Sequence, residues 1–261
     1  MKTLQVLSLG AGVQSSTILL MSFYGLLPPL DSAVFADTGW ETFATYSWLK
    51  FLQEKVGDQI PIIVVSAGNI RSDIEDSKRW ASMPFNTLNL SGKPGKLRRQ
   101  CTREYKVTPI KKALRNLLGL KRYEHAEIGA VDLWMGISTD ESHRQRLSSE
   151  RWISNYYPLI EKEMSRFDCL KWFASINLPA PPRSSCIGCP YHSNEEWRSI
   201  MSDPDAWSEA ITFDNKIRSL GSLAGNLYLH QSCIPLDEID FSTLEDHGQL
   251  NFLDCEGICG T

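Results

Sequence analysis

The chain has 261 residues, 42% hydrophobic and 22% charged, with a net charge of −4, and this ordinary usage excludes collagen-like, low-complexity and wholly disordered classes. No apolar run approaches the ~18–20 residues of a membrane-spanning helix, and the first twelve residues, with one lysine and a short apolar stretch that soon meets glycines, do not read as a signal peptide. Seven cysteines in a chain of this length exclude a small disulfide scaffold and point to a reduced, cytoplasmic protein whose cysteines bind metal, react or fill core.

Short apolar runs alternate with helical patterns through the first third. Residues 4–9 read as a buried strand, 15–24 as a helix, 33–36 as a second strand, 41–56 as a second helix and 60–65 as a third strand. This spacing predicts βαβ units and a parallel sheet. Residues 82–96, rich in Ser, Asn, Pro, Gly and Lys, are predicted to form a mobile loop. A helix over 102–118 and a strand over 132–137 follow. Beyond 157 the pattern turns helical and irregular, with helices over 161–175, 194–201 and 204–220 and a Pro-rich turn over 178–182. No internal repeat is visible. The predicted architecture is α/β: a Rossmann-like parallel sheet with flanking helices over 1–160, then a small, mostly helical C-terminal extension over 161–261.

The modest net charge hides an asymmetry. Between positions 93 and 122 there are eleven Lys or Arg, among them Arg98, Arg99, Arg103 and Lys106, against the single acid Glu104. One basic strip on an acidic body suits a phosphate-rich ligand, although charge runs also serve simply as solvated helix faces.

The first strand runs directly into Gly10-Ala11-Gly12-Val13-Gln14-Ser15-Ser16-Thr17 and then a helix. Glycines at such a junction allow close backbone approach, the helix N-terminus offers free N–H groups, and the hydroxyls add donors. No Gly-Lys-Ser/Thr follows, so this is not a Walker loop, and the third glycine of a dinucleotide fingerprint is missing. An ordinary tight βα turn is the plainer reading. The segment from Ser8 to Ser16 resembles the PP-loop of the adenine-nucleotide α-hydrolase-like superfamily, which includes N-type ATP pyrophosphatases and PAPS/APS reductases. Ala11 stands where that motif has a glycine and Gln14 where it has an aspartate. Further segments resemble PAPS reductases in the same order: Ala36-Asp37-Thr38-Gly39-Trp40-Glu41, Gly136-Ile137-Ser138-Thr139-Asp140-Glu141-Ser142-His143-Arg144, and Tyr156-Tyr157-Pro158-Leu159. The resemblance implies a PP-loop type fold. It implies a nucleotide site drawn from Ser8, Gly10, Ala11, Gly12, Gln14, Ser15, Ser16, Asp37, Thr38, Glu41 and Gly136, with Arg99, Arg103 and Lys106 neutralising phosphate. Asp140 and Arg144 are implied to take part in catalysis.

Cys186-Ile187-Gly188-Cys189-Pro190 is a knuckle that can present two thiolates to one metal, and Cys255 and Cys259 supply two more thiols near the end of the sequence. Cys101 lies among arginines that would lower its pKa. One upstream cysteine followed by this knuckle resembles the iron–sulfur branch of the family, which implies a [4Fe–4S] cluster on Cys101, Cys186, Cys189 and Cys255. Cys259 is then a tail nucleophile or persulfide carrier, and Cys255 and Cys259 are interchangeable in these roles. The competing reading is a zinc site of Cys186, Cys189, Cys255 and Cys259. Cys169 and Cys233 read as packed positions, and the five histidines as surface or supporting residues.

The resemblance implies an enzyme that binds ATP or APS/PAPS, with Mg²⁺ balancing charge if ATP is used, and that acts in sulfur transfer. In that reading adenylation of an acceptor precedes thiolation, the acceptor being tRNA or DNA held by the 93–122 strip, with a sulfur donor protein as a second partner and no membrane. The alternatives are a thiol-dependent APS/PAPS reductase and a non-catalytic nucleotide- or nucleic-acid-binding module with structural zinc.

Overall fold

The computed structural model describes residues 2–76, 83–89, 91–218, 220 and 225–242. In chain order its elements are β1 (Leu4–Leu9), α1 (Val13–Phe23), β2 (Ser32–Asp37), α2 (Phe43–Val56), β3 (Ile62–Ser66), α3 (Ile70–Glu75), β4 (Asn86–Leu88), β5 (Pro94–Lys96), α4 (Thr108–Leu117), β6 (Val131–Met135), β7 (Ile153–Tyr156), α5 (Pro158–Glu161), α6 (Arg166–Ser175), α7 (Asn194–Met201), α8 (Pro204–Arg218) and β8 (Asn226–Tyr228). The chain divides into two compact units, Met1–Pro84 with Arg98–Ile187, and Phe85–Leu97 with Gly188–Thr261.

The first unit is α/β, a parallel sheet flanked by helices. Among the described residues its sheet has five strands in the order β3-β2-β1-β6-β7, every pairing parallel. β1 and β2 are nearly continuous apolar runs because both faces of the sheet are covered. Alternation along each strand sends its side chains to opposite faces. Leu7, Leu9, Ala33 and Phe35 pack with Ile18 and Leu19 of α1, Trp48 and Leu52 of α2, and Phe173 of α6. Val6, Val34 and Ala36 pack on the other face with Ile110 and Leu114 of α4. Chain progression runs outward from β1 through β2 to β3, and in the opposite direction through β6 to β7. The carboxyl ends of β1 and β6 therefore flank the point where the strand order reverses, which is where parallel α/β sheets open a crevice for ligands.

In this unit α3 and β7 have no counterpart among the elements expected from the sequence, and two expected helices take a different form. The helix expected over 161–175 is broken into α5 and α6, because Glu163 takes a left-handed φ of 54° and Ser165 starts a new helix with a capping box shared with Asp168. The expected helix over 102–118 is continuous, but its first six residues, Thr102–Val107, form a wider π-type turn before α4 begins.

In the second unit the expected loop over 82–96 contains β4 and β5. β4 pairs antiparallel with both β5 and β8, Asn86 Nδ2 donates to the Leu229 carbonyl at 2.9 Å, and Phe85 packs against Phe213 of α8. Its polar composition misleads because the partner strand β8 lies some 140 residues away in sequence. The carboxylate of Asp214 is buried; it accepts the Leu229 N–H (2.8 Å), the Leu236 N–H (3.1 Å) and the Arg218 guanidinium. His230, expected as a surface or supporting residue, is buried against Phe241 and bonded to Ser232 and Asn194.

Candidate functional site

The exit of β1 makes a tight turn onto α1. Ala11 sits in the left-handed region at φ 55°, a conformation that favours glycine at the position where the PP-loop motif carries one. Gly12 is the N-cap of α1, with no side-chain cap and no acid in the first turn. The first intrahelical bond runs from Ser16 N–H to the Gly12 carbonyl at 3.0 Å. The N–H groups of Val13, Gln14 and Ser15 consequently have no intrahelical acceptor and carry the positive end of the helix dipole. Gly136, just past β6, lies against this turn: a Cβ built on it would stand 2.8 Å from the Ser15 nitrogen.

The hydroxyls expected to face a ligand turn inward instead. Ser15 Oγ accepts the Gly10 N–H at 3.1 Å and closes the loop. Ser16 Oγ is buried and accepts the Trp48 Nε1–H at 2.9 Å, and Thr17 Oγ1 donates to the Val13 carbonyl at 2.8 Å. These groups shape the loop, while its outward donors are backbone N–H groups.

Gln14 ties this loop to the Asp140–Arg144 segment. Its Nε2 donates to Glu141 Oε2 at 3.2 Å and Ser138 Oγ at 3.4 Å. Its Oε1 accepts from Arg166 at 3.2 Å. Glu141 Oε1 in turn takes the Arg144 guanidinium at 2.6 Å. Asp140 accepts the Arg166 backbone N–H at 2.8 Å. Burial is the largest single influence on the Asp140 carboxyl and raises its pKa, but the Arg166 N–H, the Ser138 hydroxyl, its own backbone N–H and the Arg166 charge together outweigh it and hold the carboxyl below its ordinary value. Arg166 does not figure in the sequence reading; the only sequence signal at this point is the Ser165-x-x-Asp168 cap that marks a helix start.

A second cluster lies at the exit of β2. Asp37 Oδ1 accepts the Gly39 N–H and the Tyr46 hydroxyl, both at 2.8 Å. Burial, followed by the hydrogen bond to Asp37, drives the Tyr46 pKa well above the ordinary phenol value. Gly39, at φ +73°, passes so close to Asn69 that a Cβ would meet its Cα at 2.9 Å, so only glycine fits this turn. Glu41 is buried. Its Oε1 accepts from Thr38 Oγ1 at 3.0 Å and lies 3.5 Å from Lys106 Nζ, while its Oε2 has no hydrogen-bond partner. Cys186 pairs with Glu41 through an antiparallel bridge, and its Sγ shares a 3.2 Å hydrogen bond with Thr38 Oγ1 and lies 3.9 Å from Glu41 Oε1. Pro182 and Ser184 approach Gly12, so the segment leading to Cys186 passes from the β1 exit to the β2 exit.

Thus residues from five separated stretches of sequence meet along one edge of the sheet: 10–15, 37–41, Lys106, 136–144 and 182–187. Arg99 and Arg103 are exposed on the approach to α4, and Cys101 is partly exposed at its start. Cys189 belongs to the second unit. Cys255 and Cys259 lie outside the described residues. Among the described residues no three His, Cys, Asp or Glu side chains gather as metal ligands would, and the Cys186 sulfur lies near a hydroxyl and a carboxylate. The described residues alone therefore do not fit an iron–sulfur cluster or a four-cysteine zinc site. The large aromatics Trp40, Tyr105, Trp134 and Trp197 are core, and no described helix is long and apolar enough to cross a membrane.

No family model matches the chain, and no curated protein matches it. A solved structure that is similar is that of phosphoadenylyl-sulfate (PAPS) reductase from Candida auris in complex with phosphate, with a TM-score of 0.47 and 14% sequence identity, covering 74% of this chain and 83% of that one.

Proposed function

We propose that the chain is a PAPS reductase-like PP-loop enzyme that binds an adenine nucleotide with its phosphates on the N-terminus of α1 and uses the activated group in sulfur transfer. The observation that supports this reading most is the uncapped first turn of α1 beside Gly136, at the reversal of strand order in a parallel sheet. Val13, Gln14 and Ser15 supply N–H donors to the phosphates. Arg144 and Lys106 supply positive charge, and the Asp37–Glu41 turn lines the neighbouring part of the crevice toward the nucleoside.

Two chemistries suit this arrangement. In the first, an acceptor oxygen attacks the α-phosphorus of ATP, pyrophosphate leaves, and a sulfur nucleophile then displaces AMP from the adenylated acceptor. A tRNA or DNA acceptor would use the basic residues that precede α4. In the second, a thiolate attacks the sulfur of an adenylyl sulfate and expels the nucleotide, and a second thiol releases sulfite as a disulfide forms. The second chemistry draws support from Cys186, a thiol that the fold places on the same sheet edge as the phosphate loop. Calorimetric titration with ATP, APS and PAPS, followed by assay for pyrophosphate and for sulfite, tests the reading. Binding of at least one nucleotide with release of one of these products is expected. No binding of any of the three would overturn it.

A further inference from the structure

We propose that Arg166 is a specificity-determining anion-binding residue of the phosphate site and that Gln14 is the residue that positions it; this rests on the nucleotide reading above. Arg166 is the first residue of α6 and is only partly buried. Its backbone is fixed by Asp140, and one terminal nitrogen is fixed by Gln14 Oε1. The rest of its guanidinium makes no hydrogen bond or ion pair among the described residues, although its charge also acts on the Asp140 carboxyl, which leaves a planar set of donors beside the first turn of α1.

The charge balance explains why position 14 carries an amide. Around the loop stand two carboxylates, Asp140 and Glu141, and two guanidinium groups, Arg144 and Arg166. Glu141 is satisfied by Arg144 at 2.6 Å and by the Gln14 amide at 3.2 Å. A carboxylate at 14 would lie against Glu141 and would cancel Arg166. Such a pair of acids calls for a hard divalent cation to bridge it. The glutamine instead donates to the acid and accepts from the arginine, so it holds both without altering the charge. Arg166, whose charge also acts on Asp140, is then not cancelled at position 14, and the site is set to take phosphate or sulfate oxygens on guanidinium and N–H donors.

The test is titration of the full chain with ADP and, separately, with adenosine, in EDTA and in Mg²⁺, for the wild type, Arg166→Gln, Arg166→Lys and Gln14→Glu. ADP is expected to bind the wild type in EDTA. Arg166→Gln should weaken ADP by about 10–100-fold, the range of a lost charged hydrogen bond, while adenosine affinity stays within about twofold. Arg166→Lys should recover part of the loss, because charge is retained and the planar fork is not. Gln14→Glu should weaken ADP in EDTA and regain it in Mg²⁺. Unchanged ADP affinity in Arg166→Gln, or a Gln14→Glu variant that binds ADP like the wild type in EDTA, would overturn the assignment while leaving the nucleotide reading intact. Failure of the wild type to bind ADP in EDTA would also overturn the assignment; failure to bind ATP, APS and PAPS as well would overturn the nucleotide reading itself.

Discussion

Gly136 and Ser15 stand so close that a single methyl group on the glycine would come within 2.8 Å of the Ser15 nitrogen. The end of β6 thus leaves open the very N–H group that the first turn of α1 presents. Gly136→Ala should force the two elements apart, lowering stability by about 1–3 kcal/mol as an overpacked contact and weakening ADP at least 10-fold. The contrast is Gly12→Ala. There a Cβ meets Ser184 at an ordinary 3.6 Å, and the stability change should stay within about 1 kcal/mol. Chemical denaturation of both variants measures the difference.

The buried Glu41 carboxylate and Lys106, 3.5 Å apart, should behave as a coupled pair. Lys106→Met leaves the acid without its cation and should cost about 1–3 kcal/mol; Lys106 is partly exposed, so the larger cost of a fully buried pair does not apply. Adding Glu41→Gln should recover much of that cost in the double variant. Additive losses in the double-mutant cycle would show that the two residues do not interact.

Asp140 links the 139–144 segment to α6, and its carboxyl is held below the ordinary value of 3.8. The charged form is favoured in the folded state, so the stabilisation is fully present above pH ~4 and is lost as the pH falls through the lowered value. Urea denaturation between pH 5 and pH 2.5 should show a stability loss in the wild type that is smaller in Asp140→Asn.

Burial pushes the Cys169 thiol up to about 11 and raises Cys233 as well. At pH 8 both are protonated and shielded. Alkylation of the native protein, read by peptide mass mapping, should spare these two until denaturant is added, while the partly exposed Cys101 and Cys186 react first.

Much of this was legible in the sequence, for reasons visible in particular residues. The apolar runs that become β1 and β2 are covered on both faces, so their composition alone marks them as strands of a parallel sheet. The Gly10–Gly12 junction stands out because a strand meets a helix there. β4 and β7 were not legible. Each is three or four residues long, too short to carry a periodic pattern, and is defined by its pairing, β4 with β5 and the distant β8 and β7 with β6. The roles of the loop hydroxyls were misread for a related reason. Ser16 looks like a donor in a phosphate loop, and only the tertiary approach of Trp48 shows it turned inward. Arg166 was missed because position 166 meets position 14 only after α6 packs on α1.

The turn after β1, together with Gly136, is the nucleotide phosphate site we propose. Amide hydrogen exchange of the full chain with and without saturating ATP, APS or PAPS tests it most directly. At least one nucleotide is expected to slow exchange at residues 11–15 and 136–141, with smaller effects elsewhere. Nucleotide binding that protects another region and leaves these amides unchanged would contradict it.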